Sequence, residues 1–196
     1  MKKLLMLSFL FLFTVTGYGQ DQISVKNDIF EVVYSEFLEQ PLLLKYRSTN
    51  RPKNVSRTGL DFYVEPNIKT SDSKDYAKNI YDKGHLAPAA SFSDNMTNLK
   101  QTFTYLNCVL QHEKLNRGEW AELEDQERKW DDNENLTVTV IVKFDEIPQR
   151  VDTNAAIPTH FEKHIFFEEK KSWKCFVFPN ESPKFEWKEY QINCTH

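Results

Sequence analysis

Tyr81-Asp-Lys-Gly-His-Leu-Ala-Pro-Ala-Ala-Ser91 is the stretch on which the reading of this chain turns. From Asp82 to His85 it has no apolar side chain and carries glycine at 84, the composition of a tight turn whose backbone a substrate can approach closely. Alone, such a turn is ordinary. Thirty-one residues beyond His85, however, Asn116 heads the segment Asn116 to Trp130. There Trp120, Leu123 and Trp130 form an apolar stripe among Glu, Ala, Leu, Gln and Arg, which predicts a helix, with asparagine suited to its N-cap. Positions 116, 120, 124 and 128 step by four and drift by about 40° per step, so Asn116, Glu124 and Arg128 fall within reach of one long face.

An imidazole, an amide oxygen and a carboxylate in this arrangement suit metal-assisted cleavage of a phosphodiester. Mg2+ takes an octahedral set of oxygens and keeps several of its waters, so Asn116 as the one protein ligand, with waters fixed by Glu124, is a reasonable site; Mn2+ is the alternative. A neutral His85 can take a proton from attacking water. Lys83, Arg57 and Arg128 are candidates to meet charge on the phosphorane, and Asp82 orients either the turn or the histidine. Taken singly, Asn116 reads as a helix cap and Glu124 with Arg128 as an i,i+4 surface pair; only their joint occurrence carries weight.

Residues 1–19 read as a secretory leader: a basic start at Lys2-Lys3, an apolar run from Leu4 to Val15, and small residues at Gly17-Tyr18-Gly19. The run is shorter than the roughly 18 residues a membrane span needs, and no cysteine near the cut offers a lipid anchor, so an exported protein, periplasmic or secreted, is expected from residues 20–196. Some 177 residues suit one domain. The formal charge of -4 becomes -6 without Lys2 and Lys3, so nucleic acid would have to be met by a local cluster of cations. In an oxidising compartment three cysteines allow one internal disulfide; Cys175 with Cys194 is favoured, leaving Cys108 a buried thiol, although spacing does not fix connectivity.

Phe30 to Ser35 and Gln40 to Tyr46 read as two strands around a turn, Asp61 to Val64 as a short strand, and Leu136 to Phe144 as a strong one. Ile165 to Phe167, Trp173 to Phe178 and Phe185 to Ile192 are further strand candidates. Several strands around one main helix predict a single α+β domain with a mixed or antiparallel sheet.

Three blocks in order, Tyr81 to Ser91, Thr104-Tyr-Leu-Asn-Cys-Val-Leu-Gln111 and Leu115 to Arg128, resemble the DNA/RNA non-specific endonuclease family. This is the ββα-metal (His-Me finger) group, which includes secreted bacterial nucleases and mitochondrial endonuclease G. The resemblance implies His85 as general base, Asn116 as metal ligand, Glu124 as the carboxylate holding metal-bound water, Asn107 as a supporting residue and Arg128 as the helix arginine; Arg57 is a looser match. It also implies DNA and RNA substrates. Two positions depart from the pattern: Lys83 stands where the family has arginine, losing the bidentate fork that suits phosphate, and Leu110 stands where it has proline.

Two other classes compete. A catalytically weak nucleic-acid-binding protein would suit Lys83 and the acidic balance, and a phosphodiesterase acting on small esters would use the same groups. A zinc protease does not fit: in His160-Phe-Glu-Lys-His164 the glutamate is misplaced, and Pro158 with Ile165-Phe-Phe167 suggests a strand, on which the two histidines would stand about 13 Å apart. The aromatics Trp173, Phe176, Phe178, Phe185, Trp187 and Tyr190 read as core rather than base-stacking groups.

Overall fold

The structure is a computed structural model and describes residues 21–194; the leader expected over 1–19 lies outside the described residues. In chain order the elements are β1 (Gln22–Lys26), β2 (Phe30–Ser35), β3 (Gln40–Ser48), β4 (Tyr81–His85), α1 (Met96–Gln101), β5 (Cys108–His112), α2 (Glu113–Arg117), α3 (Glu119–Asp131), β6 (Leu136–Lys143), β7 (His160–Phe167), β8 (Ser172–Pro179) and β9 (Gln191–Ile192). One sheet runs β1-β2-β3-β6-β7-β8-β9, and all its pairings are antiparallel. β4 and β5 pair separately as an antiparallel ribbon. The fold is α+β and forms a single domain.

β6 explains why the sheet has one buried face. Leu136, Val138, Val140 and Val142 are buried and the residues between them are not, the period of two that a half-buried strand requires. β7 continues that face with Phe161, Lys163, Ile165 and Phe167. α3 lays Trp120 and Leu123 over it, with the Trp120 ring edge-on to Phe161 and Phe178 at 5.6 and 5.7 Å. Truncating Trp120 to alanine would forfeit about 3–5 kcal/mol.

Local expectations fail at four places. Asp82 to His85 is a strand, because all five residues of β4 pair with β5. The helix expected from Asn116 is two helices: Gly118 (φ -108°, ψ -114°) separates α2 from α3, so Asn116 lies in the last turn of α2 and caps nothing. Phe185 to Ile192 is mainly a 3-10 turn, Trp187–Tyr190, with only Gln191–Ile192 paired to β8. Asp61 to Val64 contributes a single bridge, Tyr63 to Thr104. β1, unread in the sequence, pairs along its length with β2.

His160 and His164 do lie on a strand, β7. Cys175 and Cys194 form a disulfide with a Cα–Cα distance of 5.4 Å, tying the chain end to β8, and Cys108 is a buried free thiol.

Candidate active site

The ribbon sets the position of His85. Gly84 lies opposite Val109, and a Cβ there would come within 2.4 Å of Gln111 Oε1 and 2.7 Å of Gln111 Cβ. Glycine is therefore required by the close approach of a buried neighbour across the ribbon. His85 ends β4 opposite Cys108. Immediately beyond it Asn107 holds the backbone: its Oδ1 accepts from Ala87 N–H at 2.7 Å, and its Nδ2 donates to the carbonyls of Ala87 and Thr102 at 3.0 and 2.8 Å. Asn107 is wholly buried and does not line the cleft described below.

The His85 ring packs against Phe62 at 4.7 Å and Phe103 at 5.0 Å, and its Nε2 is buried without a hydrogen-bond partner. Burial, and then the positive charge of Arg57, push the imidazole down to a pKa of about 3, so it is neutral at physiological pH.

Asn116 is oriented by Asp82. Its Nδ2 donates to Asp82 Oδ2 at 2.9 Å, which settles the end of the amide that remains as an oxygen donor. Arg117 holds the same carboxylate with Nε and Nη2 at 2.8 and 2.6 Å. Burial raises the Asp82 pKa, but the hydrogen bonds from Arg117 and Asn116 outweigh it and leave the group below its ordinary value. Asp82 thus orients the amide, neither the turn nor the histidine. Gly118 makes this possible by ending α2, since a Cβ there would meet the Lys114 carbonyl at 2.7 Å.

α3 carries the remaining groups. Burial raises Glu124 to a pKa of about 7, opposed by the nearby Lys163 and reinforced by Glu127. Arg128 Nη2 bonds to Asp125. Lys83 donates to Asp61 Oδ1 at 2.9 Å and lies 5.6 and 5.7 Å from the Phe62 and Tyr105 rings. Arg57 opens a turn closed by Leu60 N–H to its carbonyl, with Gly59 supplying the positive φ of 83° such a turn needs. His85, Asn116, Glu124, Arg128, Lys83 and Arg57 all line one cleft of about 530 Å³, together with Asp61 and Arg117.

Beneath Glu124 lies a network the sequence reading missed. Lys163 donates to Glu127 Oε1 at 2.7 Å with both side chains wholly buried, Tyr46 Oη donates to Glu127 Oε2 at 2.6 Å, and the Lys163 ammonium sits 4.2 Å from the Trp120 ring centroid. The available signal was a lysine at an inward position of β7, between Phe161 and Ile165. The two departures from the family pattern also meet, for Lys83 and Leu110 are register partners. Leu110 N–H donates to Gln40 Oε1 at 3.0 Å, a bond that proline could not make.

A family model for DNA/RNA non-specific endonucleases matches residues 10–196. The chain belongs to that family. It is 34% identical to the Nuclease of Serratia marcescens over 113 residues, 53% of this chain but only 42% of that protein's length. Among solved structures, a chain from the EndoG/EndoGI complex superposes on this member of the family with a TM-score of 0.74 at 22% identity, covering 90% of this chain and 83% of the other. That likeness is one of fold, over most of both chains.

Proposed function

We propose that this chain is an exported, metal-dependent endonuclease that hydrolyses phosphodiester bonds of DNA and RNA with little sequence preference. The observation that carries the reading is the convergence, on one cleft, of a neutral imidazole, an amide whose nitrogen is already committed, a half-buried carboxylate and several cations. The donor chemistry fits a hard divalent cation, Mg2+ or Mn2+: Asn116 offers a neutral oxygen, with Glu124 beside it to hold water. Among the described residues no three His, Cys, Asp or Glu side chains make a metal cage, so the rest of the set would be water. When bound, the cation supplies charge neutralisation at the phosphate and the leaving oxygen.

The protein's own groups supply the rest. Neutral His85 accepts the proton of the attacking water. Its basicity is low in the free protein partly because of Arg57; once Arg57 pairs with a phosphate, that depressing charge is offset and the imidazole becomes a better base. Glu124 orients water, and Lys83, Arg57 and Arg128 meet negative charge developing on phosphorus. Asn107 acts at one remove, by fixing the backbone that follows His85.

Incubating the purified mature protein with plasmid and with RNA, in Mg2+, Mn2+ or EDTA, tests this. Metal-dependent nicking that is lost in His85→Ala is expected; no nicking, or nicking unchanged by that substitution, overturns it. The acidic charge and the engagement of Lys83 by Asp61 favour one alternative, a binding protein of weak activity. It would show salt-dependent binding without cleavage under any divalent ion. A small-ester phosphodiesterase would turn over a model diester and leave polymers intact.

Export rests on the leader at 1–19; no helix among the described residues is long and apolar enough to cross a membrane. N-terminal sequencing of protein recovered outside the cytoplasm should begin at Gln20.

A further inference from the structure

A second cavity, of about 310 Å³, opens beside the cleft and shares Ala90, Asp125 and Arg128 with it, so the two are contiguous. Arg51 and Lys53, on the segment after β3, line it, as does Ser91. Three of its lining side chains keep a buried polar atom without a hydrogen-bond partner in the protein: Arg51 Nε, Ser91 Oγ and Arg128 Nη1. Buried donors are nearly always satisfied, and an unsatisfied one costs free energy. Three around one cavity, all able to donate, call for a ligand that brings oxygens.

The guanidinium groups are also held in place. Arg51 stacks on the Phe92 ring at 5.0 Å and lies 3.7 Å from Asp94, while Arg128 is fixed through its other nitrogen by Asp125. Asp131 and Asp132 line the cavity as well; Asp131 is buried and accepts from Ser48 Oγ at 2.5 Å. These acids disfavour a freely diffusing anion. They matter less for a phosphate already tethered nearby, whose effective concentration is high.

We infer that this cavity is a second phosphate subsite, in which Arg51, Lys53, Ser91 and Arg128 hold a backbone phosphate of the same nucleic-acid strand whose scissile linkage lies in the cleft. The inference rests on reading the cleft as a phosphodiester site. The strand then runs from Arg57 and Lys83, past His85 and Arg128, to Arg51 and Lys53.

Fluorescence anisotropy in EDTA tests it without cleavage, using a labelled single-stranded oligonucleotide long enough to span both cavities and a labelled dinucleotide that fills only one. Arg51→Gln should raise the oligonucleotide Kd by about tenfold, the loss of one charge-assisted contact, and should lower the slope of log Kd against log salt by about 0.7. Arg51→Lys should recover only part, because it keeps the charge and loses the planar fork. Lys53→Ala alters an exposed side chain, so it carries the test even if the Arg51 variants unfold, and it should weaken oligonucleotide binding severalfold. Wild-type affinity and salt slope in these variants overturn the subsite, as does an equal loss on the dinucleotide. Absence of any binding by the unaltered protein overturns both the subsite and the cleft reading. Binding that depends on Arg51 and Lys53 in a protein that never cleaves would keep the subsite and defeat the catalytic assignment alone.

Discussion

Lys163→Met should destabilise the protein far more than loss of a surface ion pair would. In the native fold its ammonium is wholly buried, 2.7 Å from Glu127 Oε1 and over the Trp120 ring. Methionine keeps an unbranched stem one atom shorter than that of lysine but leaves Glu127 with one hydrogen bond, from Tyr46, and without the Lys163 charge. An uncompensated buried carboxylate costs about 3–5 kcal/mol. The double variant Glu127→Gln/Lys163→Met removes both charges while keeping an oxygen for Tyr46, so it should return to within about 1–2 kcal/mol of the natural protein. The cycle should thus report a coupling of at least about 2 kcal/mol. Urea unfolding at pH 7, with the slope against denaturant unchanged among variants, measures it. A single-variant loss under about 1 kcal/mol, or a double variant no more stable than the single, would refute the claim that a desolvated pair fixes α3 to β7.

Asn107→Ala should cost roughly 3 kcal/mol or more, because it leaves the Ala87 N–H and the carbonyls of Ala87 and Thr102 without their side-chain partner in a buried place; a thermal melt reads the loss, and cleavage should fall with it. His85 is neutral when folded down to a pKa of about 3, whereas an unfolded imidazole takes a proton near 6.5. Its contribution therefore reduces stability as pH falls from 6.5 toward 3, by about 2 kcal/mol at pH 5, and His85→Gln should show a shallower fall in unfolding free energy across that window. Cys194→Ser opens a bridge between residues 19 apart and should lower stability by about 3 kcal/mol, seen as a lower melting temperature that reductant no longer changes.

Long periodic segments were legible because burial dictates their pattern. Leu136 to Lys143 alternates since one face meets the core, and Trp120 with Leu123 marks the stripe of α3 that covers that face. β4 was not legible, because a short polar strand with only Gly84 fully buried has no apolar alternation to display. The break at Gly118 was visible as a glycine inside an otherwise good helix, but spacing at multiples of four hid it: Asn116 faces the cleft from a different helix than Glu124. The cleft residues themselves were named from the motif, whereas their supports, Asp82, Glu127 and Lys163, could be assigned only once distant segments met. A lysine at position 163 has no partner within its own strand; the partner is on α3.

The acidic balance of the chain acquires a local explanation at the cleft. Three cations that line it already have acidic companions: Lys83 with Asp61, Arg117 with Asp82, and Arg128 with Asp125. A phosphate that docks must replace or share those partners, so each contact gains less than an unpaired cation would provide. Asp82 is committed to Asn116 and cannot be released without disturbing the amide. Asp61 is different, being 80% exposed with no such duty. Asp61→Asn should therefore tighten oligonucleotide binding by about two- to fivefold, the range set by an exposed ion pair, and should steepen the salt dependence as Lys83 engages phosphate fully. The gain should shrink in Lys83→Gln, where only the direct repulsion between a cleft-lining carboxylate and phosphate remains to be relieved. Unchanged affinity in Asp61→Asn would mean that Lys83 never trades its carboxylate for phosphate, and that the lysine in place of the family's arginine has left the binding surface.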